Sequence, residues 1–198
     1  MDGQLGDPLD RVLTVPNVLS IARLVLIGVF VYLLLAADSY GWAVVVLVIC
    51  GASDWADGKI ARVMNQSSRL GELLDPAVDR LFMLVIPVAF VLAGIVPWWV
   101  VAILIGRDVV LAAMLPILRA RGLSALPVTY IGKAATFALM SAFVWILLGQ
   151  WDALWSRVIG ALGWGLLVWG IGLYLWSLVL YIIQLVMVVR EVPKVARR

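Results

Sequence analysis

The sequence predicts an all-α integral membrane protein with six transmembrane helices. Of its 198 residues, 65% are hydrophobic and 14% are charged, and the mean hydropathy of +1.10 lies far above that of a soluble domain. Apolar runs of about 20 residues recur along the chain, each long enough to cross the hydrocarbon core of a bilayer. We therefore predict one membrane domain over residues 1–198, with an N-terminal segment at 1–15 and a basic tail at 190–198.

Six apolar stretches define the predicted spans. They cover residues 16–37, 42–63, 75–93, 98–118, 132–148 and 158–189. At about 1.5 Å per residue the last stretch gives a helix of about 48 Å, which must tilt, bend or project beyond the bilayer. Its glycines predict close helix packing, or alternatively a dimer face; they are Gly160, Gly163, Gly165, Gly170 and Gly172.

The distribution of basic residues predicts the topology. Nearly all of those outside the spans lie near one set of alternate loops or at the termini, and Arg157 alone lies in the opposite set. The positive-inside rule then predicts that both termini lie in the cytoplasm. We expect a multi-pass protein of the plasma membrane. Five tryptophans fall at the outer ends of spans, as in an aromatic belt; they are Trp42, Trp98, Trp99, Trp151 and Trp155.

The composition excludes several kinds of chemistry. The chain has no His and one Cys, Cys50, which excludes disulfides within the chain, zinc clusters and imidazole bases. Any acid-base or metal chemistry must therefore use carboxylates. The net charge of +3 comes without a dense basic run, so we expect no nucleic-acid partner.

Carboxylates concentrate in "GASDWADGKIARVMNQSSRLGELLDPAVD", residues 51–79. Asp54 and Asp57 share one helical face, and Asp75 and Asp79, four residues apart, share a face of the next helix. Burying four aspartates in a bilayer costs about 10 kcal/mol on an insertion scale. An all-oxygen ligand set favours hard cations, Mg²⁺ or Mn²⁺, and four carboxylates suffice for the two-ion arrangement that clamps phosphoryl groups.

Small residues accompany the first acidic pair. Gly58 and Ala61 lie within the same arc of about 100° as Asp54 and Asp57, with Arg62 at its edge. They leave a hollow in which a nucleotide could reach the backbone. Taken separately, the acids could be a solvated helix end, and the small residues could serve helix packing.

The connection that follows is predicted to be a short cytoplasmic link containing Gly71, which lets the second and third helices pack antiparallel. Pro76 suits the first turn of the third helix.

The two acidic pairs and the residues around them form a pattern that resembles a known family signature. The pattern Asp54-x-x-Asp57-Gly58-x-x-Ala61-Arg62, followed after eight residues by Gly71-x-x-x-Asp75-x-x-x-Asp79, resembles the full signature of the CDP-alcohol phosphotransferase family. The segment "TVPNVLSIARL" at 14–24 is similar to the start of the first helix in members that make phosphatidylglycerophosphate and cardiolipin.

The resemblance implies a reaction in which an acceptor hydroxyl attacks the lipid-side phosphorus of a CDP-linked lipid and CMP leaves. It implies two divalent ions, a cytoplasm-facing polar cavity and a homodimer. Asp79 would also be the base that takes the hydroxyl proton. The implied metal ligands are Asp54, Asp57, Asp75 and Asp79, and the implied CMP contacts are Gly58, Ala61, Arg62 and Gly71.

The sequence gives less information about the alcohol that accepts the phosphatidyl group. Arg107 and Asp108 lie inside the fourth span, where charged residues are functional candidates, although an ion pair that joins two helices is the alternative. "RDVVL" resembles the same segment of the eukaryotic-type cardiolipin synthases. Arg119, Arg121 and Lys133 could hold an acceptor phosphate or anchor anionic lipid headgroups.

The resemblance implies a membrane enzyme that moves phosphatidyl from CDP-diacylglycerol to phosphatidylglycerol, giving cardiolipin. Glycerol 3-phosphate is the alternative acceptor, and the product would then be phosphatidylglycerophosphate. A cation carrier could also use intramembrane acids, but it would more naturally show repeated halves with broken helices. A structural scaffold has no use for four converging acids.

Overall fold

The structure, a computed structural model, describes residues 15–64, 69–123 and 129–191, with side chains described at 18–53, 77–123 and 129–191. Six α-helices account for most of these residues, and no strand occurs among them. The predicted all-α fold with six helices is confirmed. The helices are α1 (Val15–Leu35), α2 (Tyr40–Met64), α3 (Arg69–Leu92), α4 (Trp98–Arg119), α5 (Tyr130–Leu148) and α6 (Leu154–Glu191).

Four helices of the described part, α1, α4, α5 and α6, are long and apolar enough to cross a membrane. The apolar part of α2, Tyr40–Ser53, is shorter. The 38 residues of α6 give a length of about 57 Å. This length exceeds both the predicted 48 Å and the hydrocarbon core of about 30 Å, so α6 extends further than its apolar run suggested. The architecture fits a multi-pass integral membrane protein.

The chain divides into two units, with the boundary between Pro97 and Trp98. In the first unit α1 packs against both α2 and α3. Phe30 of α1 and Phe90 of α3 are fully buried, and their stacked ring centroids lie 6.1 Å apart. These apolar contacts fix the register of α1 against α3, on which the polar contact described below depends.

The start of α3 differs from the prediction. The helix begins at Arg69, so Gly71 lies in its first turn and Pro76 lies further inside it. The expectations of a link containing Gly71 and of Pro76 in a first turn are both wrong. The early start has a local reason, because Glu72, Leu73 and Leu74 are good helix formers. Pro76 inside the helix costs one backbone hydrogen bond and crowds the preceding turn, and α3 nevertheless continues through it.

In the second unit α6 packs against α5 and against α4. Glycines permit the close approach of α5 and α6: a Cβ on Gly163 would lie 2.7 Å from the backbone nitrogen of Ile146. A Cβ on Gly160 would lie 3.1 Å from the Cα of Gly149. Side chains at these positions would force the two backbones apart.

The packing prediction for the glycines of α6 is confirmed for Gly160, Gly163 and Gly170, the last of which faces Leu139 of α5. It is wrong for Gly165 and Gly172, because no described atom lies within 4 Å of a Cβ built on either one. A dimer face at these two glycines stays a prediction.

Candidate active site

A partly buried ion pair joins two helices of the first unit. Arg23 of α1 donates a hydrogen bond from Nη1 to Oδ1 of Asp79 on α3, over 2.6 Å. The Arg23 side chain is 3% exposed, whereas that of Asp79 is 50% exposed. The carboxylate is therefore held by a buried cation on one side and stays accessible on the other.

Asp79 is the one predicted metal ligand with a described side chain. Asp54 and Asp57 lie on α2 and Asp75 lies on α3, as their predicted helices require, but their side chains fall outside the described residues. The same holds for the side chains of the predicted CMP contacts, which are Gly58, Ala61, Arg62 and Gly71. Their roles stay predictions.

The donor set fits a hard divalent cation. Within the described ranges no three His, Cys, Asp or Glu side chains cluster as a metal site, and three of the four predicted aspartates lie outside that search. Carboxylate oxygens are the ligands that Mg²⁺ and Mn²⁺ prefer. Asp79 presents such a group half exposed on α3, and both α2 and α3 pack on α1.

A second polar group lies between α4 and α6 in the second unit. Arg107 donates from Nη1 to Oδ1 of the adjacent Asp108 over 2.9 Å, and from Nη2 to Oγ of Ser177 over 3.2 Å. Its guanidinium carbon lies 4.3 Å from the ring centroid of Tyr174 and 5.7 Å from that of Tyr181. The guanidinium is thus fixed by hydrogen bonds and by cation–π contacts at once.

Asp108 is also bound from α6. The Tyr174 hydroxyl donates to Oδ1 of Asp108 over 2.8 Å, so this oxygen accepts two hydrogen bonds, the other coming from Arg107. The Asp108 side chain is nevertheless 57% exposed. The predicted pair therefore does join two helices, and it also presents a carboxylate to its surroundings.

The three basic residues near α4 and α5 have different surroundings. Arg119 ends α4 and is exposed, and Arg121 turns back to donate to the carbonyl of Ile117 over 3.1 Å. The Lys133 ammonium lies 5.8 Å from the ring centroid of Tyr130. A phosphate site shared by the three cations stays a prediction.

Comparison with known families decides the class of protein. Residues 13–189 match the family model described as CDP-alcohol phosphatidyltransferase. The chain belongs to this family. It is therefore a phosphotransferase, as the two acidic pairs predicted. Members of the family use CDP-alcohol substrates and generally depend on a divalent metal, and the cation carrier loses its support.

Relatives narrow the group within the family. A Mycobacterium tuberculosis protein, provisionally named a cardiolipin synthase, is 62% identical over 186 residues, which cover 94% of this chain and 89% of the relative. A Streptomyces coelicolor protein named cardiolipin synthase (CMP-forming) is 44% identical over 166 residues, covering 81% and 77%.

A more distant relative carries another name. A Salmonella typhimurium protein named CDP-diacylglycerol--glycerol-3-phosphate 3-phosphatidyltransferase is 34% identical over 139 residues, covering 67% of this chain and 76% of the relative. No solved structure matches the chain significantly.

Sequence reasoning missed Arg23, Tyr174 and Ser177, which contact predicted site residues. A signal existed for Arg23, because a charged residue inside the first apolar span is a functional candidate in the same way as Arg107. Tyr174 and Ser177 lie in an apolar helix without any pattern that marks them. Their importance follows from contacts between α4 and α6, which no local pattern predicts.

Proposed function

We propose that the chain transfers the phosphatidyl group of CDP-diacylglycerol to a hydroxyl of phosphatidylglycerol, giving cardiolipin and CMP. The main support for phosphatidylglycerol as the acceptor is the 44% identity, over 81% of the chain, to a relative named as a CMP-forming cardiolipin synthase. The more similar mycobacterial relative carries a provisional name of the same kind.

We assign the binding of the donor substrate, CDP-diacylglycerol, to the four aspartates of α2 and α3. Asp54, Asp57, Asp75 and Asp79 would hold two divalent ions, Mg²⁺ or Mn²⁺, which when bound neutralise the charge of the pyrophosphate oxygens. Four carboxylates suffice for two such ions, and the family generally requires a divalent metal. The cytidine phosphate is assigned to the small and basic residues of the same signature, Gly58, Ala61, Arg62 and Gly71.

We assign to Asp79 the role of the base that takes the proton of the acceptor hydroxyl. The acceptor hydroxyl oxygen forms a bond to the lipid-side phosphorus, and the bond from that phosphorus to the bridging oxygen breaks. CMP leaves with the electron pair of that bond, while the hydroxyl proton passes to the Asp79 carboxylate. The half-exposed carboxylate of Asp79 supports this role, because it is accessible on one side while Arg23 holds the other.

We assign the binding of the acceptor to Arg107 and Asp108, and contacts with its phosphate to Arg119, Arg121 and Lys133. Arg107 and Asp108 are supported by the dense set of contacts that α6 makes to them. The other three are supported only by charge, because basic side chains at helix ends can bind a substrate phosphate or a lipid headgroup.

Glycerol 3-phosphate is the second candidate acceptor, since the Salmonella relative carries that activity in its name at 34% identity. For either acceptor we propose a homodimer in the plasma membrane, with both termini and a polar cavity on the cytoplasmic side. The positive-inside distribution of Lys and Arg supports this orientation.

The test is CMP release by the purified protein with CDP-diacylglycerol and Mg²⁺ or Mn²⁺. Phosphatidylglycerol, glycerol 3-phosphate and inositol phosphate are offered in parallel, and products are identified by mass spectrometry. Cardiolipin formed with phosphatidylglycerol is the expected product. Phosphatidylglycerophosphate as the sole product would replace the acceptor but keep the reaction class.

A further inference from the structure

We infer that Tyr174 and Ser177 of α6 are positioning residues that hold Arg107 and Asp108 as a site for the free hydroxyl of the acceptor glycerol. The inference rests on the proposed function, because it concerns the acceptor of that reaction. It separates the recognition of glycerol hydroxyls from the binding of phosphate, and it adds two residues that the family signature does not contain.

Arg107 is held from three directions. Its Nη1 binds Asp108, its Nη2 binds Ser177, and its face lies against the ring of Tyr174. The Ser177 hydroxyl donates its own hydrogen to the carbonyl of Tyr174 over 2.7 Å, which leaves its lone pairs for Arg107. The arginine is therefore oriented by α6 and cannot turn freely to follow a ligand.

Asp108 is fixed in the same way through one oxygen. Oδ1 accepts from both Arg107 and the Tyr174 hydroxyl, and the side chain is more than half exposed. A carboxylate oriented by two donors and open to its surroundings is a good acceptor for a substrate hydroxyl. Each Nη of Arg107 carries a second hydrogen beyond the one given to Asp108 or Ser177, and these are donors for the same hydroxyl or its neighbour.

The charge of the group favours a hydroxyl over a phosphate. The formal charges of Arg107 and Asp108 cancel, while Tyr174 and Ser177 are neutral, so the group as a whole has no excess positive charge to offer a phosphate. A neutral polyol headgroup needs donors and acceptors in equal measure, and this group supplies both. Glycerol hydroxyls occur in phosphatidylglycerol and in glycerol 3-phosphate alike.

The burial of the α6 residues supports a role beyond joining helices. Tyr174 is 4% exposed and Ser177 is 0% exposed on an apolar helix. Phe and Ala would fill nearly the same space there without a hydroxyl that must be satisfied. The two hydroxyls lie where they orient an ion pair, as expected of groups that support a binding site.

The test compares phosphatidylglycerol with an analogue that lacks the glycerol hydroxyl not used in the reaction. A site that binds this hydroxyl rejects the analogue, because its polar groups are then left unpaired. We expect the wild-type protein to prefer phosphatidylglycerol at least about tenfold in kcat/KM. Tyr174→Phe and Ser177→Ala should lower that preference about three- to tenfold and raise the KM for phosphatidylglycerol, without raising the KM for CDP-diacylglycerol.

Matched controls separate positioning from folding. Ser156→Ala removes a buried serine of the same helix that bonds Trp151 and Leu148, and Tyr32→Phe alters an exposed tyrosine of α1. Both should keep the preference for the hydroxyl-bearing acceptor. In an Asp108→Asn background, Tyr174→Phe should have little further effect on the preference, because Tyr174 acts through that carboxylate.

Three outcomes would overturn the inference: a wild-type protein that uses both acceptors equally, an unchanged preference in Tyr174→Phe, or additive effects of Tyr174→Phe and Asp108→Asn. Failure of the proposed function is a distinct result, in which phosphatidylglycerol releases no CMP. If glycerol 3-phosphate is then the acceptor, the same comparison is made with its deoxy analogue, and loss of hydroxyl preference in Tyr174→Phe supports the site.

Discussion

Arg23 and Asp79, 56 residues apart in sequence, form an ion pair of 2.6 Å between the first and third helices. The arginine is buried and the carboxylate is half exposed. A buried cation thus balances and orients the carboxylate that we assign as the base. This contact places Arg23 beside the proposed chemistry, although the family signature around Asp54 and Asp79 does not include it.

Replacing Arg23 with Gln should therefore impair both stability and turnover. A buried partner lost from a charged hydrogen bond costs about 1–3 kcal/mol of unfolding free energy, and a displaced base costs about tenfold or more in kcat. CMP release and thermal unfolding in detergent measure the two effects. Arg157→Gln, at an exposed position of α6, is the matched control and should change neither. Wild-type turnover in Arg23→Gln would remove Arg23 from the site.

Substitution of each signature aspartate by Asn should abolish turnover. Asp54→Asn, Asp57→Asn, Asp75→Asn and Asp79→Asn each remove one charged oxygen donor at nearly constant volume, and we expect CMP release to fall about 10²-fold or more. Asp152→Asn, in the loop between α5 and α6, serves as a control. A signature variant with wild-type activity would be excluded from the mechanism.

Removal of divalent metal should abolish activity reversibly. Chelation by EDTA is expected to stop CMP release, and added Mg²⁺ or Mn²⁺ should restore it, since hard cations exchange readily between oxygen ligands. Manganese binding followed by electron paramagnetic resonance gives a readout independent of turnover, and Asp79→Asn should weaken it. Full activity in excess chelator would contradict the assignment of the four carboxylates to metal.

The packing of α5 on α6 should fail when Gly163 acquires a side chain. In Gly163→Ala the new Cβ would lie 2.7 Å from the backbone nitrogen of Ile146, which cannot move aside as a flexible side chain would. We expect a loss of about 1–3 kcal/mol, measured by thermal unfolding in detergent. Gly165→Ala is the matched control on the same helix, because its Cβ would meet no described atom within 4 Å. Equal stability of the two variants would show that the approach of α5 and α6 is looser than described.

Much of the fold could be read from the sequence because a membrane imposes a strong local signal. A helix of about 20 apolar residues must form wherever such a run crosses lipid. Element ends were harder, as Gly71 and Pro76 show, because short-range residues such as Glu72 and Leu73 extend α3 beyond its apolar part. The glycines of α6 were predicted to pack, but only the packed helices distinguish Gly163 from Gly165.

The sequence alone determined the family and the reaction class of this protein. Eight signature positions within one segment fix residue type and spacing, and the match over residues 13–189 confirms the family they indicated. Such a pattern is local in the chain, so it is legible without a structure. No local pattern predicts which alcohol is the acceptor, because acceptor binding depends on side chains from several helices.

Only the tertiary structure decided which distant residues support the charged ones. Arg23 reaches Asp79 because α1 packs on α3, and Tyr174 reaches Asp108 because α6 packs on α4. In each case the partner lies in a largely apolar helix, and apolar periodicity does not indicate which residue it contacts. Its role comes from the register in which two helices meet, which is set by the packing of side chains along the whole interface.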